Sequence, residues 1–317
     1  MAAPAIVVSN LVKTFQVRGA PIRAVDDLSF SVQRGSIFGL LGPNGAGKTT
    51  TLRIMTTLSR PTGGSVEVLG FDAVKAPLEV RRRIGVVIQE QAADLLLNVR
   101  DNLLTFARFH GHAGAAVRAR SDDVMAQFGI DDVADRKVQD LSGGVRRRVQ
   151  VAKMFMVDVP LVFLDEFSSG MDAILKRSVM DMLRAQAANG RTIVLTTQIL
   201  AEAEELCDDI LIINEGKRIA HGNLNELKLL TVQRYEVTLG FDKIPERLEQ
   251  TIAPYAPEDF AVHHNTVQFC LHQEETRVLD LVAELARLGR ILHVEIAGAT
   301  LEDVFVELTR RKKGASA

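Results

Sequence analysis

Cysteine is scarce in this 317-residue chain, with Cys207 and Cys270 alone. Two thiols so far apart build neither a disulfide framework nor a cysteine metal cluster, so both are expected in the core of a protein from a reducing compartment. Long apolar runs are missing too. No window holds 18 uninterrupted apolar residues, so the polypeptide itself is not expected to span a bilayer. Its start, Met1-Ala2-Ala3-Pro4-Ala5, lacks the basic residues and apolar stretch of a secretory signal. A membrane role therefore needs a partner chain. Net charge is nearly absent as well, 38 Lys and Arg against 40 Asp and Glu giving -2 at pH 7. No overall basic field draws nucleic acid or anionic lipid, and no nucleic-acid partner is expected. What remains is an ordinary globular composition, 47% hydrophobic and 25% charged, long enough for two domains.

The first thirty or so residues alternate apolar and polar positions, as in Leu28-Ser29-Phe30-Ser31-Val32, which predicts strands. Apolar runs at 161–164, 192–197 and 210–213 then alternate with helix-length segments, one of which closes at Asn189-Gly190 like a helix C-cap. That rhythm argues for an α/β fold, a parallel sheet covered by helices. Between about 98 and 136 an all-helical stretch interrupts it, with Leu103, Leu104, Phe106, Ala107 and Phe109 as the expected buried face. Beyond residue 230 the order β, α, β, β, α, β and a last helix from Leu301 predicts a small α+β domain. The expected division is 1–230, with a helical subdomain over about 98–158, and 231–317, an accessory or dimerising domain.

The residues Gly42-Pro43-Asn44-Gly45-Ala46-Gly47-Lys48-Thr49 follow an apolar strand and lead through Thr50 into a helix-compatible stretch. They fit G-x-x-x-x-G-K-[ST] in the context that motif needs. Glycines let consecutive N–H groups curl round phosphate oxygens, the helix start adds a favourable dipole, Lys48 meets the outer phosphates and Thr49 can ligate Mg²⁺. At 161–166 an apolar strand ends in Asp165-Glu166. Asp165 is placed to act on the metal, and Glu166 to polarise the attacking water as general base.

Shortly before that strand stands Leu141-Ser142-Gly143-Gly144, followed by Val145-Arg146-Arg147-Arg148. With the phosphate loop and the carboxylate pair, it resembles the signature of the ATP-binding cassette family over residues from about 5 to 228. The resemblance makes 1–230 the ATP-binding domain and implies a P-loop NTPase cassette with a mixed sheet core, an N-terminal antiparallel β part and an inserted helical subdomain. It implies ATP and Mg²⁺ as the ligands, and a dimer in which Ser142, Gly143 and Gly144 of one subunit cap the ATP held by the other's phosphate loop. Phe15 resembles the aromatic that stacks on adenine. Gln89 resembles the glutamine that contacts Mg²⁺ and the water, and Asp172 the aspartate that crosses the dimer interface. Gln198 occupies the position of the family's switch histidine.

Three residues depart from the family pattern. Val145 replaces a glutamine, Phe167 a proline, and Gln198 the histidine. A glutamine amide still donates a hydrogen bond to the γ-phosphate, but it neither carries positive charge nor shuttles a proton, so slow hydrolysis is expected. The triplets at 81–83 and 146–148 are expected to be solvated helix faces. The segment 92–98 is apolar for a surface loop, which fits either a groove receiving a partner's helix or simple core. The stretch Leu301-Glu302-Asp303-Val304-Phe305 resembles the ending of drug and polysaccharide exporter ATPases that serve separate permeases. The expectation is an ATPase subunit powering a transmembrane permease at the cytoplasmic face of the membrane, exporting drugs, lipids or polysaccharides, with a second ATPase subunit as partner. The competing class is a non-transport cassette ATPase clamping a soluble partner. A GTPase is disfavoured, since Asn214-Glu215-Gly216-Lys217 lacks the Asn-Lys-x-Asp that reads guanine.

Overall fold

The computed structural model describes residues 3–17, 19–88, 93–230, 234–273 and 275–314. Gln89, expected at the metal, and Ala92 beside it lie outside the described residues. Two compact units divide the chain, Met1–Asn223 and Leu224–Ala317.

In the first unit, β1 (Ile6–Val17) and β2 (Ala20–Val32) pair antiparallel, β3 (Ile37–Leu41) leads to helix α1 (Lys48–Met55), and β4 (Gly63–Val68) and β5 (Phe71–Asp72) follow. An antiparallel sheet of order β2-β1-β4-β5 results. Alternation explains it: Ile6, Val8, Leu28, Phe30, Val32, Val66 and Val68 point into one core while the intervening residues meet solvent. After α2 (Pro77–Arg81) and β6 (Ile84–Val87) the chain enters the helices α3 (Val99–Phe109), α4 (Ala115–Gln127) and α5 (Gly143–Ala152). It returns through β7 (Leu161–Asp165), α6 (Ala173–Ala188), β8 (Thr192–Thr197), α7 (Leu200–Leu206), β9 (Asp209–Asn214) and β10 (Lys217–Gly222).

The main sheet has the order β10-β9-β3-β8-β7-β6, parallel except for β10. Every residue of β3, β7 and β8 is buried, one face against the helices and the other against α1 and the antiparallel sheet, and such strands read as unbroken apolar runs. Helix α6 stops at Asn189, after which Gly190 takes φ 90°, the left-handed turn that favours glycine. The inserted helices share one core, built on Leu103, Ala107, Val124, Met125, Phe128 and Val149. Phe109, expected on that face, is 84% exposed. The 3.6-residue period carries Leu103 and Ala107 inward and turns position 109 to the far side.

The second unit begins with α8 (Leu224–Lys228), then β11 (Tyr235–Phe241), α9 (Leu248–Ile252), β12 (Glu258–His263), β13 (Thr266–Leu271), α10 (Glu275–Leu288), β14 (Ile291–Ala297) and α11 (Leu301–Gly314). Helix α8 packs on α11 with Leu227 fully buried, which draws the division back from residue 230 to 223/224. The antiparallel sheet runs β12-β13-β11-β14. Val237, Leu239, Phe241, Val267 and Phe269 meet Val278, Leu281 and Leu285 of α10, which recur at helical spacing.

Candidate active site

Register gathers the site. Leu41 at the end of β3 lies opposite Thr197 of β8, and Thr196 lies opposite Asp165 at the end of β7. The phosphate loop, the carboxylate pair and Gln198 therefore leave three adjacent strands at their carboxyl ends, where open parallel sheets bind ligands.

The loop's shape depends on two glycines. Gly42 has φ 155° and Gly47 φ 104°, and a Cβ on either would stand 2.2 Å from the Ile213 carbonyl oxygen or 2.5 Å from that of Ala24. No other residue fits those turns. Helix α1 starts directly behind Gly47, so its unpaired N–H groups face the loop. Lys48 is 6% exposed, and its Nζ donates to the Gly42 carbonyl at 2.6 Å and the Pro43 carbonyl at 3.1 Å. Burial pushes its pKa down, while the charges of Glu166 and Asp165 hold it up. A cavity of about 380 Å³ is lined by Asn44, Gly45, Ala46, Gly47, Lys48, Thr49 and Thr50 together with Ala24 and Glu166.

Thr49 Oγ1 lies 3.5 Å from Asp165 Oδ2, and the Thr196 hydroxyl donates to Asp165 Oδ1. Two oxygen donors so close suit a hard cation such as Mg²⁺, which keeps its remaining positions for phosphate and water. Among the described residues no three His, Cys, Asp or Glu side chains converge as a metal cage. Glu166 lines the phosphate cavity from a backbone at φ 51°, a conformation a non-glycine residue holds only when its surroundings fix it. Its N–H donates to the Thr196 carbonyl at 3.0 Å, and Phe167, where the family has proline, is fully buried and anchors the next position.

Sequence reasoning missed part of what holds this turn. Arg147, expected on a solvated face, is 7% exposed. Its guanidinium donates to the backbone carbonyls of Asp165, of Glu166 at 2.8 Å and of Ile88 at 3.3 Å, and to Gln150 Oε1 at 2.8 Å. Burial lowers its pKa, opposed by Asp165 and Glu166. The available signal was its spacing, since position 147 stands one helical turn before the buried Val151. Glu202 was missed as well. Almost fully buried, it accepts from Ser168 Oγ at 2.8 Å and Thr197 Oγ1 at 3.3 Å, with Lys176 Nζ at 3.4 Å. It ties the chain after Gln198 to the chain after Glu166.

The remaining sequence-predicted residues do not line the phosphate cavity. Ser142 caps α5, accepting from the Val145 amide at 3.4 Å, and both Ser142 and Gly143 are exposed. Gly144 leaves no room for a Cβ, which would lie 2.5 Å from the Gly170 carbonyl oxygen. Asp172 caps α6 through the Leu175 amide at 2.9 Å, which holds its carboxyl below the usual range, and it pairs with Arg148 at 2.9 Å. Phe15 on β1 is 41% exposed, with Lys13 Nζ 4.9 Å from its ring centre. Gln198 is exposed next to Thr197. A second cavity of about 350 Å³ joins Gly143, Arg147, Glu166 and Gly170.

The sequence pattern of the ABC transporter family matches residues 25–169. Over 310 residues the chain is 36% identical to the daunorubicin/doxorubicin resistance ATP-binding protein DrrA of Streptomyces peucetius, covering 96% of this chain and 92% of that relative. It is 38% identical over 294 residues to the Nod factor export ATP-binding protein I of Burkholderia pseudomallei (strain 1710b), covering 91% and 92%. Among solved structures, an ATP-binding subunit of an ABC transporter superposes at TM-score 0.66 and 26% identity, over 71% of this chain and 92% of that one. A dimeric ATP-binding cassette in a post-hydrolysis state, bound to ADP and Pi, shares the fold at TM-score 0.64 and 24% identity, over 69% and 98%.

Proposed function

The chain belongs to the ATP-binding cassette transporter family, and from that premise we propose that it is the ATPase subunit of an exporter whose permease is a separate chain. It takes ATP at residues 42–50, where the backbone N–H groups and Lys48 meet the phosphates. Thr49 and Asp165 would hold Mg²⁺, with Gln89, outside the described residues, as the further ligand expected from the sequence. The metal, when bound, neutralises charge developing on the phosphate oxygens. Glu166 takes a proton from water as its oxygen attacks the γ-phosphorus and the bond to the ADP oxygen breaks. Gln198 donates a hydrogen bond to the γ-phosphate, and Phe15 stacks on adenine.

Ser142, Gly143 and Gly144 act in trans on a second subunit's ATP, with Asp172 at the dimer interface. The exposure of Ser142, Gly143 and Asp172 away from the phosphate cavity of their own chain supports this. Among the described residues no helix is long and apolar enough to cross a membrane, so the permease supplies the path and holds the ATPase at the cytoplasmic face. Relatives named for daunorubicin and doxorubicin resistance and for Nod factor export support a drug, lipid or polysaccharide as cargo.

The observation that carries the catalytic assignment is the convergence of Lys48, Thr49 and Glu166 on one cavity, with Asp165 against Thr49. Glu166→Gln should keep ATP binding and lower turnover about 100-fold or more. Full activity in that variant removes Glu166 as the base. The exporter reading is tested separately by isolating the native complex from membranes: co-purification with a membrane protein of about six helices supports it, and recovery of soluble partners alone overturns it.

A further inference from the structure

The two free edges of the C-terminal sheet differ in kind. Strand β12 is interrupted by a register shift between Glu258 and Ala261, carries two acidic residues, and has Asp259 in the left-handed region at φ 52°. Bulges and charges of that sort keep an edge from pairing. Strand β14, Ile291-Leu292-His293-Val294-Glu295-Ile296-Ala297, has no proline, lysine or glycine. It pairs with β11 without a shift from Ala297 back to His293, and its one shift lies at the strand's start, between His293 and Ile291. Its outer edge is open among the described residues, and Leu292 and Val294 beside it are 62% and 47% exposed. Val294 shares the face that carries Leu239, and Leu292 stands at the register shift between His293 and Ile291.

The sequence of β14 is complementary to itself. Set antiparallel to its own copy about Val294, it places His293 opposite Glu295 twice and Leu292 opposite Ile296 twice. His293 and Glu295 are both well exposed and lie 3.7 Å apart along one strand, a weak contact that the same groups can exchange for one across to a neighbour. Hydrogen-bonding polar pairs and apolar pairs facing each other across antiparallel strands are what stabilise a sheet. A pairing that meets its own copy in this way closes as a two-fold dimer and does not propagate.

We infer that β14 pairs antiparallel with β14 of a second copy of this chain, about a two-fold axis at Val294, joining the two C-terminal sheets into one of eight strands. This contact does not involve the ATP site. It would keep two ATPase chains together while their nucleotide sites are apart.

The test uses the full chain without nucleotide, so that pairing through ATP contributes nothing. Across an antiparallel pair, residues on the axis have Cα atoms about 4.5–5.5 Å apart, within the reach of a disulfide. Val294→Cys under a mild oxidant should therefore run as a covalent dimer on a non-reducing gel. Val262→Cys, 41% exposed on the opposite edge strand, should not. In sedimentation velocity Glu295→Lys, which replaces the acceptor facing His293 by an ammonium twice, should raise the dimer dissociation constant about tenfold. Adding His293→Glu should restore it. A chain that sediments as a monomer at every concentration, equal cross-linking from both edges, or a charge swap without effect overturns the inference. If Glu166→Gln dimerises on ATP while Val294→Cys fails to cross-link, only this inference falls. If Val294→Cys cross-links in a chain that hydrolyses no ATP, only the ATPase reading falls.

Discussion

Gln198 stands one residue past Thr197, whose strand register faces the start of the phosphate loop. An amide there offers a hydrogen bond and no charge. Imidazole would add a titratable proton at the same place, while Lys48, Glu166 and the metal ligands stay as they are. Gln198→His should therefore leave ATP affinity within about twofold and raise turnover about 3- to 10-fold. Unchanged turnover in a steady-state assay would mean that this position does not limit the enzyme. The second expectation concerns Arg147, whose guanidinium satisfies backbone carbonyls on both sides of the Asp165-Glu166 turn. Arg147→Met leaves those carbonyls without their donor. We expect a stability loss of about 2–4 kcal/mol and at least roughly tenfold slower turnover, with ATP affinity almost unchanged. Denaturant titration and a nucleotide-binding titration measure the two arms, and normal turnover with reduced stability would reduce Arg147 to a purely structural role. Lys48, Thr49, Asp165 and Glu166 were legible in the sequence because they stand at fixed spacings beside recognisable strands. Arg147 and Glu202 were not, because a buried charge is recognised by its partners, and these lie far away in sequence.

At the scale of elements, the parallel strands were legible because burial on both faces leaves them apolar throughout, and the register of β3, β8 and β7 then fixed where the site stands. Helix faces were less legible: Phe109 points outward and Arg147 inward, against what hydrophobicity and charge alone predict. The junction of α5 with the following 3-10 turn, Lys153–Met156, has a measurable consequence. Lys153 Nζ sits 4.9 Å from the centre of the Phe106 ring on α3, and burial pushes its pKa down to about 8, with the Asp94 carboxylate opposing. Below pH 8 the lysine is charged in both folded and unfolded chains, and the fold bears the cost of burying that charge. Between pH 8 and the ordinary lysine pKa near 10.4, the unfolded chain binds more protons, so stability contributed at this position rises with pH. Relative to Lys153→Met, the wild-type unfolding free energy should gain about 1–2 kcal/mol from pH 7.5 to pH 10. Parallel pH profiles for the two proteins would rule this out.

At the scale of the whole molecule, each phosphate loop and each signature segment belongs to a chain that does not bring the two onto one cavity. Ser142 and Gly143 are exposed at the start of α5, and Ser142 spends its hydroxyl on capping that helix. If the site is completed in trans, two inactive variants should rescue one another. Lys48→Ala disables the phosphate loop of its own chain and leaves its signature intact. Ser142→Arg blocks the signature and leaves the loop intact. A homodimer of either has no complete site. In a mixed dimer, one site combines both lesions and the other combines an intact loop with an intact signature. Equal mixing makes about half the dimers mixed, each with one of its two sites complete, so activity should recover to about a quarter of wild type if each site turns over by itself. In a monomer that completes its own site, both chains stay dead in any mixture. The assay is ATP turnover as a function of mixing ratio at constant total protein. A peak near equal proportions supports composite sites, and a flat line at the level of the single variants means that the signature does not act across chains.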